Sequence, residues 1–320
     1  MNAVEAAKTA LANTRDATIG ETTLIFCDKE KKDIGELFSR AMIDLGLWTR
    51  LVVMETTNEP RRKLDDRMKE LITGNKPDLY VNLFRNMDEE TAYRIQFNKL
   101  ERQKTSRICH CPGVTMEMFT EGAATLTEEE YKSMFSFGEN LKESLKGTKK
   151  VHITSPKGAD FTFKVDREFT VEYGGNLPCG EVMLMPPIGD SFEGKLVCTS
   201  GGAGRLYRET PVEITSNKGL AGKVTCSDKQ IKKRIEEELN RDPGSRYLGE
   251  FAFGINSKAR LVDEFLEAEK VVGTIHMAFG GSYFPTKTHM DLLIENPTIT
   301  ISKTDEKPFI VMEEGKFKVP

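Results

Sequence analysis

The apolar positions in the first half of the chain switch repeatedly between two spacings. Residues 22–27 (TTLIFC) form a short continuous apolar run, as expected of a strand buried on both faces. In residues 33–45 the apolar side chains Ile34, Leu37, Phe38, Ala41, Met42 and Leu45 recur at helical spacing. The alternation continues with a strand at 51–54, a helix at 61–72 stopped by Gly74, and a strand at 78–84. A helix at 88–100 and a strand at 107–111 follow. Strands alternating with helices in this way predict βαβ units and a mostly parallel sheet. One more helix, 128–145, leads to the turn at Gly147, which marks a boundary between an N-terminal α/β domain (1–148) and a second domain (149–320).

Beyond that boundary the pattern shortens. Residues 151–154, 160–165, 169–173, 195–199 and 211–215 read as brief strands split by Gly, Pro, Asn and Asp, the mark of antiparallel structure. A charged amphipathic helix is expected at 227–240, with Ile231, Ile235 and Leu239 on its apolar face. Strands at 275–279 and 288–294 and a final pair at 298–302 and 309–312 complete a β-rich α+β C-terminal domain.

Length supports the two-domain division, since 320 residues exceed what one hydrophobic core usually serves. A net charge of −4 argues against a general nucleic-acid partner, which would need a basic face. The N-terminal stretch has no signal-peptide pattern, and no apolar run is long enough to span a bilayer, so a cytoplasmic chain with no membrane partner is expected. Six cysteines scattered over the chain do not make a disulfide scaffold. Cys109-His110-Cys111 reads as a buried strand end before Pro112, because adjacent residues of a strand point to opposite sides. The first strand–helix turn carries neither Gly-x-Gly-x-x-Gly nor a Walker sequence, so no nucleotide cradle is expected there. Gly201–Gly204 is read as a turn.

The chemistry gathers toward the C-terminus. Two of the four histidines, His276 and His289, lie on the predicted strands 275–279 and 288–294. Histidine and carboxylate are the common protein ligands of divalent metals. Residues two apart on a strand share a face, so His289 and Asp291 project side by side. His276 shares its face with the small residues Ala278 and Gly280, which leave room for an ion, while Ile275, Met277 and Phe279 face the core. Glu250 sits in the same setting, with Ala252 and Gly254 on its face and Phe251 and Phe253 on the other. Glu181 opens an apolar strand, where a carboxylate is costly unless paired or metal-bound. Arg246 and Lys270 are the nearby cations available to pair with these glutamates.

Taken together, LPCGEV with Glu181, LGE with Glu250, His276, Tyr283 seven residues later, and the His289-x-Asp291 pair resemble the metal-site motifs of the thermophilic-type metalloaminopeptidases. The resemblance implies metal ligation by Glu181, Glu250, His276, Tyr283, His289 and Asp291. It also implies two divalent ions (zinc, cobalt or manganese), a homodimer, and an α/β domain beside a catalytic β-rich domain. The activity implied is removal of N-terminal residues from peptides. Glu250 would relay a proton to the leaving amine, and Tyr283 would ligate a metal or donate to the oxyanion. The chain departs from the family in carrying Glu267-Ala268-Glu269-Lys270 before His276, where the peptidases have an acidic Asp-Glu-Asn run, and in a short stretch between Tyr283 and His289. A related ring-cleaving branch resembles dihydroxypyridine dioxygenases. It keeps only His276, His289 and Asp291 around one Fe(II), and its substrates are small aromatic molecules. Charge decides between the two: two divalent ions balance Glu181, Glu250, Asp291 and one hydroxide, the nucleophile of a two-metal hydrolase. A lone iron would leave Glu181 and Glu250 as extra buried anions.

Overall fold

The computed structural model describes residues 1–104, 107–201, 207–281 and 286–318. It divides into two compact units. One comprises Met1–Ser133, Tyr173–Cys179 and Lys258–Arg260; the other comprises Met134–Glu172, Gly180–Ser257 and Leu261–Pro320.

The first unit holds helices α1 (Ala3–Arg15), α2 (Lys32–Asp44), α3 (Asp66–Thr73), α4 (Thr91–Glu101) and α5 (Glu117–Thr120). Strands β1 (Thr22–Asp28), β2 (Trp48–Met54), β3 (Leu79–Leu83) and β4 (Ile108–His110) pair in parallel, in the order β2-β1-β3-β4. This is the parallel sheet the alternating pattern predicts. Alternate residues of the central strands serve opposite layers. Leu24, Phe26 and Tyr80 pack with Ile72, Tyr93 and Phe97 of α3 and α4. Cys27 on the other face meets α2 at Gly35, where an added Cβ would lie 2.9 Å from the Cys27 sulfur.

Two differences from expectation have local causes. Helix α3 begins at Asp66 rather than near 61, because Asp65 caps it by accepting from the Met68 N–H at 2.7 Å. Arg61 is instead drawn into a buried ion-pair network. It holds both Asp28 oxygens at 2.5 and 2.7 Å and Glu90 at 2.6 Å, and Arg85 holds Glu90 at 2.5 Å. Helix α1 adds to the elements that the spacing predicts. Asn2 caps it, and Ala6, Ala7, Ala10 and Leu11 form its buried face. The Arg61 network lies past the ends of β1 and β3, where the strand order reverses. Open parallel sheets commonly bind ligands at that place; here it is filled by side chains.

The second unit contains α6 (Glu128–Leu145), whose C-terminal part belongs to it, then α7 (Lys229–Leu239) and α8 (Phe265–Ala268). Its strands are β5 (Thr148–Thr154), β6 (Asp160–Lys164), β7 (Thr170–Glu172), β8 (Glu181–Leu184), β9 (Glu193–Cys198) and β10 (Ser200–Gly201). They continue as β11 (Val212–Asn217), β12 (Leu220–Thr225), β13 (Leu248–Gly254), β14 (Thr274–Gly280) and β15 (His289–Glu295). The last are β16 (Thr298–Lys303), β17 (Phe309–Glu313) and β18 (Lys316–Phe317). Two antiparallel sheets result, ordered β12-β11-β9-β6-β5-β16-β17-β18 and β10-β15-β14-β13-β8-β7. Aromatic side chains join them: Phe163 meets Phe251 at 5.1 Å between centroids, Phe192 meets Phe279 at 5.5 Å, and Phe253 meets Phe317 at 6.0 Å. That shared core uses one face of the six-stranded sheet and leaves the other for the polar residues.

Candidate metal centre

Four neighbouring strands of the six-stranded sheet, β8, β13, β14 and β15, carry Glu181, Glu250, His276, and His289 with Asp291. Register aligns them on one face. Glu250 lies across from Ala278, which lies across from Asp291; Gly280 faces His289, and Gly254 faces Glu181. Small residues thus separate the long polar ones, as the strand reading requires. Alternation alone would place Leu248 and Glu250 on the same face. A bulge at Gly249 prevents this: Leu248 pairs with Phe279 on the core side and Glu250 with Ala278 on the polar side. Only glycine fits there, because a Cβ would lie 1.7 Å from the Gly280 carbonyl oxygen.

The side chains converge. His276 Nε2 is 3.2 Å from Glu250 Oε1 and 3.4 Å from Glu181 Oε1. His289 Nε2 is 3.3 Å from Glu250 Oε2 and 3.2 Å from Asp291 Oδ1. Glu250 therefore lies between the two imidazoles. Glu269, just after α8, adds a carboxylate that sequence reasoning did not select; its Oε2 is 4.0 Å from His276 Nε2. Lys270 reaches the same place, donating to Glu181 Oε2 and Glu269 Oε1 at 2.5 Å each. Of the two cations considered for the glutamates, Lys270 is the one that pairs. Arg246 donates instead to the carbonyls of Ala221 and Gly222. The clue to Glu269 is in the sequence: a carboxylate directly before the lysine that neutralises Glu181. Tyr283 and residues 202–204 of the glycine-rich turn lie outside the described residues.

The donors fall into two sets, each with two carboxylates and one imidazole whose ligand atoms lie within 4.8 Å of one another: Glu181, Glu269 and His276, and Glu250, His289 and Asp291. The first set is buried throughout, whereas His289 and Asp291 of the second are partly open to solvent. Glu181 Oε1 is buried and accepts no hydrogen bond among the described residues. Two carboxylates with an imidazole suit a divalent cation, and an oxygen left bare in a buried cluster is the kind of atom a cation satisfies.

Electrostatics point the same way. Burial opposes the charge on Glu250, but hydrogen bonds and charge from His276 and His289 outweigh it and hold the carboxyl well below the ordinary range. Burial also works against a charged His276, yet Glu181, Glu250 and Glu269 push it up to about 9. The surrounding protein disfavours a charged His289 too, and Asp291 and Glu250 prevail, raising it well above its ordinary value. Burial pushes Glu269 up to about 7 although Lys270 pulls it down. The metal-free chain thus keeps protons on the imidazoles that an arriving cation must displace.

Residues 126–317 match the model of the thermophilic metalloprotease family, M29. The chain belongs to that family. It is accordingly a metallopeptidase, and the histidine and carboxylate sets described above lie inside the matched segment. No curated protein matches the metallopeptidase sequence. Among solved structures it is similar to wild-type AmpT from Thermus thermophilus, at 15% identity and a TM-score of 0.67, with 99% of each chain covered. It is also similar to 2,5-dihydroxypyridine dioxygenase from Pseudomonas putida KT2440, at 17% identity and a TM-score of 0.69, covering 99% of this chain and 97% of the other. At such identities these two likenesses establish the shared fold. Among the described residues, no helix is long and apolar enough to cross a membrane.

Proposed function

We propose that this metallopeptidase is an aminopeptidase acting through two divalent ions, with Glu181, Glu250, His276, His289 and Asp291 as principal ligands and Glu269 as a further one. The observation that carries the reading is the pair of ligand sets, five of whose six residues lie on one sheet face, joined by Glu250 between the imidazoles of His276 and His289. Divalent ions bound there would polarise a scissile carbonyl and lower the pKa of water toward ~7. The chain's own residues supply the rest. Glu250 is proposed, on the strength of its motif, to relay a proton from water to the leaving amine. The partial exposure of His289 and Asp291 marks the side from which a peptide arrives. Tyr283 is proposed as a ligand or oxyanion donor on the strength of its motif alone. On this reading residues 149–320 form the catalytic domain, residues 1–148 a supporting α/β domain, and the working unit is a cytoplasmic homodimer.

The ring-cleaving alternative, one Fe(II) at His276, His289 and Asp291, is supported by the likeness in fold to the dioxygenase. Against it stands Glu250: with Lys270 paired to Glu181 and Glu269, one divalent ion would still leave the four carboxylates of the cluster with one uncompensated negative charge. The test is turnover of aminoacyl-p-nitroanilides after loading with cobalt, zinc or manganese. Release of p-nitroaniline that a chelator abolishes is expected. No release from a metal-loaded sample, together with oxygen uptake on 2,5-dihydroxypyridine after anaerobic iron loading, would overturn the proposal in favour of the oxygenase.

A further inference from the structure

The two ligand sets have matching donors but different company. Lys270 is 1% exposed and places its ammonium 2.5 Å from both Glu181 and Glu269. Its backbone is pinned, since the Asn256 N–H donates to the Lys270 carbonyl at 2.9 Å and Val271 bridges to Asn256. The ammonium is therefore built into the cluster and is not a surface side chain that has swung inward. It takes one oxygen from each carboxylate and leaves Glu181 Oε1 and Glu269 Oε2, the two atoms that approach His276 Nε2 at 3.4 and 4.0 Å. A divalent ion in this set must share both carboxylates with a fixed positive charge. The Glu250–His289–Asp291 set is nearer solvent, and none of its carboxylates pairs with Lys270 among the described contacts.

We propose that Lys270 is a resident cation that makes the two halves of the site unequal. One divalent ion binds tightly at Glu250, His289 and Asp291, and the ion at Glu181, Glu269 and His276 binds second and weakly. This rests on the metallopeptidase reading above and refines it. Counting charge, the carboxylates of Glu181 and Glu269 give their half −2 without the lysine and −1 with it, while Glu250 and Asp291 keep −2. Since like charges a few ångströms apart in a buried site repel by more than thermal energy, the difference in affinity should reach about 100-fold or more. The chain would then turn from a one-ion into a two-ion form with the free metal concentration, Lys270 setting the threshold.

The experiment strips the full-length chain with a chelator and titrates it with zinc or manganese by calorimetry, and with cobalt by its visible absorption. Bound metal is counted after desalting. The wild-type chain is expected to show two unequal steps and to keep close to one ion through desalting. Lys270→Met, similar in length and uncharged, should strengthen the second step by about tenfold or more and keep nearly two ions. The double variant Glu269→Gln, Lys270→Met removes the pair together, avoids leaving Glu269 as an uncompensated buried charge, and should keep one. Two equal steps in the wild-type chain, or a second step that Lys270→Met leaves unmoved, would overturn the inference while leaving the metallopeptidase reading intact. Absence of any binding by the wild-type chain would sink both.

Discussion

Asp291→Asn isolates one ligand charge with little change of shape. Asp291 is partly exposed on β15, its neighbour across β14 is Ala278, and its carboxylate lies 3.2 Å from His289. Asparagine keeps the volume and one acceptor oxygen, and the backbone ladder to β14 is untouched, so folding should change little. What disappears is one of the two negative charges of the Glu250–His289–Asp291 set. Loss of a group that supports a bound metal typically costs up to about 100-fold in affinity, or about 2.7 kcal/mol. We expect the variant to lose the ion that the wild-type chain keeps through desalting and to lose aminoacyl-p-nitroanilide turnover by about 100-fold, with a near wild-type Tm. The control is Met290→Leu, one residue away on the opposite face. Met290 is 3% exposed across from Phe279 in the aromatic core. A volume-conserving swap there should cost less than about 1.5 kcal/mol in stability and leave metal content unchanged. If Asp291→Asn kept full metal and rate, the strand-face argument and the site built on it would both be wrong.

Three more expectations follow from the same geometry. Ala278→Leu fills the gap between Glu250 and Asp291; it should block metal binding at a stability cost of about 1–3 kcal/mol, read by calorimetry and denaturant unfolding, and an unaffected titration would contradict the proposed row. His276, held up to about 9, and His289, held higher than usual, must lose protons to bind an ion; metal affinity should therefore climb as pH rises toward 9, and calorimetry in buffers of different ionisation enthalpy should detect proton release, whose absence would refute the assignment. In the other unit, burial works against the charge on Glu90 but Arg61 and Arg85 lower its carboxyl from 4.5 to about 2; the resulting stability, about 3 kcal/mol, is present in full above pH ~4.5 and lost as pH falls toward 2, and Glu90→Gln should flatten that acid limb in urea titrations.

Much of this site was legible along the chain because strands translate spacing into direction. Period-two alternation made it possible to assign His276, Ala278 and Gly280 to one face and Met277 and Phe279 to the other, and the same rule put His289 beside Asp291. Glu250 was correctly set against the core phenylalanines for the same reason. The rule failed locally at Leu248, because the bulge at Gly249 depends on the approach of the Gly280 carbonyl from a strand some thirty residues away. Helix α3 begins later than its periodicity allows, since Arg61 finds Asp28 and Glu90 only once β1 and the turn leading into α4 are in place.

What the sequence alone determined is therefore which residues could serve the site and which face of each strand they occupy, because those depend on nearest-neighbour backbone geometry. It also settled the parallel and antiparallel character of the two halves, which follows from whether helices interrupt the strands. Tertiary structure decided which strands lie side by side, and hence that β8, β13, β14 and β15 bring Glu181, Glu250, His276 and Asp291 together. It alone brought Glu269 and Lys270 into the cluster, through the turn after α8 that no periodicity encodes. Charge in a buried site is balanced across the whole cluster in space, so the partner of each carboxylate is set by the folded chain as a whole.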